Sequence, residues 1–301
     1  MKKYFLLVFI LAGILCSVSA CKNSQVKQDN SKSSQTLSEN QKSDILIISR
    51  EEGSGTRDTF VQITGVLQKD TEGRYIDRTA SQAIIANDPK EVIQKVADDK
   101  KAIGYLSLGE YLQYSGDDIK GMKVDNIKAT KEAVKAEDYK LSRPFILAYR
   151  DDLNDLQADF LRYITGKGQN IVDEVYVAVK KPTSFLSLKP EGTLIVNGST
   201  SVAPLMKALA EGYEKENPKA KIKINISDST NGLTCAMQKK CDFAMSSRQL
   251  KDYEKEMLNE KIIAKDGIAI IVNKDNDITN CSMEQLQKIF TGEIKSYDAV
   301  K

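Results

Sequence analysis

Three short stretches carry side chains whose types and spacing could do chemistry. "SREEGSGTRDTF", Ser49 to Phe60, holds small hydroxyls, two glycines, two arginines and two adjacent glutamates. "GSTS", Gly198 to Ser201, and "SDSTNG", Ser227 to Gly232, repeat the hydroxyl-and-glycine theme. Where such a turn opens a helix, unpaired backbone N–H groups and the positive end of the helix dipole favour a small anion. Hydroxyls add donors, and glycine lets the backbone come close. Arg50 offers a fork that suits an oxyanion; it is equally placed for a surface salt bridge with Glu51 or Glu52. An ionised Glu52 could accept the proton of monohydrogen phosphate, which sulfate lacks. A site built on such a hydrogen bond rejects the analogue without it by factors on the order of 10⁴.

An enzyme would have to run on carboxylate, Lys or Tyr chemistry. Histidine is absent from all 301 residues, which removes Ser-His-Asp and Cys-His catalysis and the commonest metal ligand. There is no G-x-x-x-x-G-K-[ST], no G-x-S-x-G and no G-x-G-x-x-G after a strand. Catalytic residues, metal ligands and cofactors are therefore expected to be none. A phosphatase would need a carboxylate cluster near "GSGT", where only Glu51 and Glu52 stand.

Each stretch falls between a strand pattern and a helix pattern. "ILIIS" runs into "REEGSGT" and then "RDTFVQITGVL", where Phe60, Ile63 and Leu67 share a helical face. "TLIVN" precedes "GSTS", and "VAPLMKALAEGYEKE" follows it, with Val202, Leu205, Met206, Leu209 and Tyr213 at helical spacing and Pro204 in the first turn. "KIKINI" alternates like a strand and leads through "SDSTNG" into the short helix "LTCAMQKK". "KEVIQKVADD" precedes "AIGYLSL", and "PFILAY" precedes "RDDLNDLQADFLRYITGKG" with Leu153, Leu156, Phe160, Leu161 and Ile164 inward. "GIAIIVN" is a strand, "SMEQLQKIFTGE" a helix capped by Ser282, and "KDYEKEMLNEK" a solvated helix face. Alternation of this kind implies an α/β fold with mostly parallel sheets and helices on both faces. Ligands in such folds sit beyond the carboxyl ends of the strands, where all three stretches lie.

Composition is that of a globular protein, with 41% hydrophobic and 29% charged residues. A net charge of +2 gives no whole-chain case for nucleic acid. Lys2 and Lys3 precede the apolar run Tyr4 to Leu15, and Val18-Ser19-Ala20-Cys21 resembles the lipobox of bacterial lipoproteins. Residues 1–20 are thus expected to be a signal peptide and Cys21 a lipidation site, the other reading being an uncleaved anchor. Residues 21–43, rich in Ser, Lys, Gln and Asn, suit a disordered tether of about 25 Å reach. The body begins near Asp44. A bridge between Cys235 and Cys241 and a pair of free thiols are both open outside the cell membrane.

"GTLIVNGSTSVAPLMKALAEGYEKENP", "ISDSTNG", "FAMSSRQL", "KIIAKDGIAIIVN", "LQKIFTGEI", "ISREEGSGTRDTF", "AIGYLSLGEYL" and "LSRPFILAYRDDLND" resemble the phosphate-binding protein of bacterial phosphate ABC importers. The resemblance covers nearly everything after Asp44 and implies a two-lobed type II periplasmic-binding-protein fold. It departs in order. The family usually begins at "GSTS" and reaches "REEGSGTR" after "IFTGEI", whereas here the later half comes first. The expectation is a circular permutant, its old ends joined through "VKKPTSFLSLKPEGT", with a fragment of a tandem protein as the other reading. One lobe would then combine residues 44–120 with 267–301, and the other would run from 121 to 266, with crossings near "DDIKGM" and "AKDGIAI".

By resemblance, phosphate would be bound by Thr200 and Ser199, by Ser229, by Arg50 as the positive charge, and by Ser54, Gly55 and Thr56. Glu52 would buttress the arginine or meet the phosphate proton. Ser247, which stands where some relatives have an aspartate, would join the binding set. Tyr105 and Tyr111 are expected to pack. The implied protein is an extracytoplasmic, lipid-anchored solute-binding lipoprotein, a monomer that delivers phosphate to an ABC permease. Sulfate binding, a phosphatase and a structural role are the alternatives.

Overall fold

A computed structural model describes residues 45–150 and 153–300. The expected signal peptide, tether and Cys21 lie outside the described residues.

The chain opens with β1 (Leu46–Arg50), whose buried inner residues run into the glycine-rich turn and then α1 (Gly55–Thr64). Ser54 caps this helix, and Gly65, at a φ of 74°, ends it. Leu67 therefore leaves the helical face expected for it and starts β2 (Leu67–Lys69), which pairs with β3 (Tyr75–Asp77). β4 (Ile84–Ala86), α2 (Pro89–Asp98), β5 (Ala102–Ser107), α3 (Leu108–Gln113), β6 (Ile119–Val124) and α4 (Lys131–Lys135) follow. β1 lies parallel between β4 and β5. Phe60 stacks on Tyr105, ring centroids 4.0 Å apart, and the Tyr105 hydroxyl meets Ser49 Oγ at 2.9 Å. That aromatic pair fixes the end of β1 from which Arg50 projects. Tyr111 packs similarly, its hydroxyl accepting from the Gly121 N–H.

Next come β7 (Ser142–Tyr149), α5 (Asp155–Thr165), α6 (Gln169–Val175), β8 (Val177–Ala178), β9 (Gly192–Ser199), α7 (Ala203–Glu216), β10 (Ala220–Ser227), α8 (Ser229–Met237), β11 (Phe243–Ser246) and α9 (Asp252–Lys255). β9 lies parallel between β10 and β11, and β11 runs antiparallel to β7. Leu156, Phe160 and Ile164 of α5 are buried as expected, joined by Tyr163, with Leu153 and Leu161 at the edge of the same core.

β12 (Asn259–Asn273), β13 (Asn280–Cys281) and α10 (Met283–Phe290) complete the chain. β12 is twice as long as the apolar pattern "GIAIIVN" suggested. Its first half pairs with β7 and its second with β5 and β6, all antiparallel. "KDYEKEMLNEK" is accordingly helical only over α9. Leu258 then turns inward and the chain joins the sheet.

Apolar side chains gather into two principal cores. One is built from residues between Ile45 and Leu141, Val177, and Ile268 to Val300; the other from residues between Phe145 and Ala264. Core membership thus changes between Leu141 and Phe145. Met122, Val124, Val134, Tyr139 and Leu141 belong to the first core because β6 pairs with β12 there. It changes back between Ala264 and Ile268.

Candidate functional site

The ends of β1 and β9 and the first turns of α1 and α8 converge. Arg50 is almost wholly buried, and its Nη2 donates to Thr200 Oγ1 at 3.2 Å. Thr56 Oγ1 lies 3.1 Å from Ser201 Oγ. Ser199 Oγ donates to Ser247 Oγ at 3.0 Å, and the Ser247 N–H donates to Ser229 Oγ at 3.1 Å. Gly55 completes the junction: a Cβ there would stand 2.3 Å from Ser229 Oγ and 2.7 Å from Ser247 Oγ. Only a residue without a side chain lets these turns approach so closely. Gly53 has a φ of 88°, natural for glycine, and its carbonyl accepts from the Thr230 N–H.

Of the residues singled out in the sequence, Arg50, Gly55, Thr56, Ser199, Thr200, Ser229 and Ser247 meet here. Ser54 is adjacent and buried, but its hydroxyl is engaged by the Arg57 N–H as the helix cap. Glu52 is not brought in. It is exposed and borders an open cleft with Arg57, Asp58 and Lys251. The arginine is buttressed by Glu51, which accepts from Arg50 Nε at 2.7 Å and Nη2 at 2.8 Å. Cys235 and Cys241 are free thiols, and burial pushes Cys241 well above the ordinary thiol range.

The electrostatics favour a bound anion. Arg50 Nη1 is buried and has no hydrogen-bond partner among the described residues, and such a donor costs about 1–3 kcal/mol, more for a charged group. The amino ends of α1, α7 and α8, with 10, 14 and 9 residues, face the same region. Serine and threonine hydroxyls can rotate to donate, so the cluster can surround a tetrahedral oxyanion with N–H and O–H groups.

Several residues here escaped the sequence reading. Arg143 is buried, donates to Asp266 Oδ2 through Nε at 3.2 Å and Nη2 at 3.1 Å, and reaches Thr56 Oγ1 through Nη1 at 2.6 Å. Desolvation raises Asp266 and lowers Arg143, and their mutual attraction opposes both shifts. The available signal was charge at the head of each apolar run, Arg143 in "SRPFILAY" and Lys265 with Asp266 in "KDGIAIIVN". Glu110, in α3, accepts from Ser201 Oγ at 3.2 Å. Burial pushes it up to about 8, against the pull of Arg50 and Arg143.

Comparison with known proteins bears on this geometry. The model of the PBP superfamily domain matches residues 17–167 and 186–299. Phosphate-binding protein PstS 2 of Streptococcus pneumoniae serotype 4 is 40% identical over 260 residues, covering 85% of this chain and 88% of the relative. Its Streptococcus agalactiae serotype V namesake is 34% identical over 304 residues, 99% of this chain and 98% of the relative. A crystal structure described as a phosphate ABC transporter, phosphate-binding protein from S. pneumoniae superposes with a TM-score of 0.70 at 40% identity, over 86% of this chain and 100% of that one. The fold is that of type II periplasmic binding proteins, with flanking helices and a sheet that mixes parallel and antiparallel pairs. The chain belongs to the PBP superfamily and, within it, to the family of PstS phosphate-binding proteins.

Proposed function

We propose that this protein captures inorganic phosphate between two lobes on the outer side of the cell membrane and delivers it to the permease of an ABC importer. The observation that carries this reading is the buried Nη1 of Arg50, unpartnered among the described residues and set among hydroxyls and helix amino ends from both cores. Phosphate would be held by Arg50, Thr56, Ser199, Thr200, Ser229 and Ser247, with the backbone of Ser54 and Gly55 at the amino end of α1. Phosphate as cargo is supported by relatives named as phosphate-binding proteins. An ABC transporter as destination is supported by the S. pneumoniae crystal structure, whose protein is described as part of one. The protein works by binding rather than catalysis.

The two lobes follow the cores, one from 45–141 with 267–300 and one from 142–266. Closure needs no further device, because a ligand touching both lobes stabilises the shut form. The segment order is a circular permutation of the usual family order, and the near full-length match to the S. agalactiae relative accords with an order of long standing. Residues 1–20 act as the export signal, Cys21 carries the lipid, and the mature protein is a monomer. Calorimetric titration with phosphate and with sulfate tests the assignment. Heat with phosphate at micromolar or lower Kd is expected, and sulfate preference, or silence with both, would overturn it.

A further inference from the structure

Cys235 and Cys241 are two nucleophilic side chains that anion binding leaves unused, and the fold brings them together. α8 ends at Met237, and Lys239, at a φ of 58°, reverses the chain so that the Lys240 N–H donates to the Cys235 carbonyl at 2.9 Å. Cys241 follows directly and returns against α8. It packs on the cluster that includes Leu233 and Ala236, and its thiol is hydrogen-bonded to the Cys235 thiol. A helix end that folds back in this way sets two side chains six positions apart face to face.

Both cysteines are half-buried, within reach of a small reagent, whereas Cys281 is buried in the first core. Among the described residues no three His, Cys, Asp or Glu side chains gather as metal ligands, so the pair is not part of such a cluster. Its surroundings lead to the anion turns instead. Asn197 Nδ2 lies 3.6 Å from the Cys235 sulfur, and Asn197 Oδ1 accepts from Ser227 Oγ at 2.8 Å. Cys235 itself stands on the helix that Ser229 opens.

We propose that Cys235 and Cys241 form an oxidation site, which closes to a disulfide outside the cell membrane and fastens the carboxyl end of α8 to the approach to β11. The compartment rests on the extracytoplasmic reading above, since disulfides persist where the surroundings are oxidising. The oxidant is a small-molecule disulfide. One cysteine loses its proton, attacks a sulfur of the oxidant and expels the first thiol. The other loses its proton, attacks the mixed disulfide and expels the second. One Cys235–Cys241 bond forms, the oxidant's bond breaks, and two protons and two electrons leave the protein for two thiols. The bridge closes a seven-residue loop, which limits the freedom of the unfolded chain and ties down the helix behind the Ser227–Gly232 turn.

Lys239 and Lys240 lie between the cysteines, so trypsin separates them unless they are bridged. The full-length protein is extracted from cells with its thiols blocked by iodoacetamide at lysis, denatured without reductant and digested. The peptides carrying Cys235 and Cys241 are expected to remain joined and to part on reduction. Reduced, folded wild-type protein treated with oxidised glutathione should give the same joined pair. Its Tm should exceed that of the reduced protein by roughly 5 °C, a difference that the double variant Cys235→Ser, Cys241→Ser should lack. Alkylated thiols or separate glutathione adducts after that treatment would overturn the pairing. A pair that joins in the tube but is alkylated in protein taken from cells would overturn its placement outside the membrane. Neither readout depends on phosphate, so a protein that binds none would sink the transport reading and leave the bridge standing.

Discussion

Arg50 is the residue on which the site turns. Its guanidinium is held on one edge by Glu51, and its buried Nη1 has no hydrogen-bond partner among the described residues. Replacing it with glutamine should weaken phosphate binding at least 100-fold by titration, since hydrogen bonds to charged groups contribute about 1.5–3 kcal/mol and the anion loses its buried countercharge. A loss below tenfold would mean that hydroxyls and helix ends suffice. Glu110 makes a second residue-scale prediction, independent of ligand. Its proton is kept to about pH 8 in the folded chain, whereas an unfolded glutamate loses it near 4.5. Between those values the folded state binds more protons, so stability falls as pH rises through that window, and the penalty is complete above it. Glu110→Gln should therefore raise Tm at pH 8 in phosphate-free buffer and leave it little changed at pH 4.5; equal effects at both would contradict the assignment. The hydroxyls and Arg50 were legible because their turns announce themselves. Glu110 and the choice of Glu51 over Glu52 were not, since which of two adjacent carboxylates faces inward depends on the direction of the chain as it leaves β1.

At the scale of elements, the site depends on how closely two helix ends approach. Gly55 opens α1 against Ser229, which opens α8, with Ser247 between them. Gly55→Ala should push these turns apart and weaken phosphate at least tenfold, while far-ultraviolet circular dichroism stays unchanged; undiminished affinity would show that the contact is not needed. Strand-turn-helix units were readable because their apolar periodicity switches at a hydroxyl or glycine turn. The misreadings have specific causes. Leu67 continues a helical spacing but follows Gly65, whose left-handed φ stops the helix. Residues 259–266 carry polar side chains that hide a strand, and only pairing with β7 reveals it.

The whole molecule is organised by β12, which runs through the sheets of both cores. At its middle the buried Arg143–Asp266 pair sits where the chain passes from one core to the other. Asp266→Asn would leave a buried guanidinium uncompensated and should cost about 3–5 kcal/mol, seen as a lower denaturation midpoint; a change under about 1 kcal/mol would show that solvent reaches the pair. The α/β class was legible from alternation alone, but the core that each segment joins was not. Tertiary pairing of β6 with β12, not local sequence, decides which core residues 119–141 join. The most direct test of a cradle assembled from both cores is a crystal structure of the phosphate complex. The predicted result is one anion with an oxygen about 3 Å from Arg50 Nη1, touching the turns at Thr56, Thr200 and Ser229 together; an anion bound elsewhere, or held from one core alone, would contradict it.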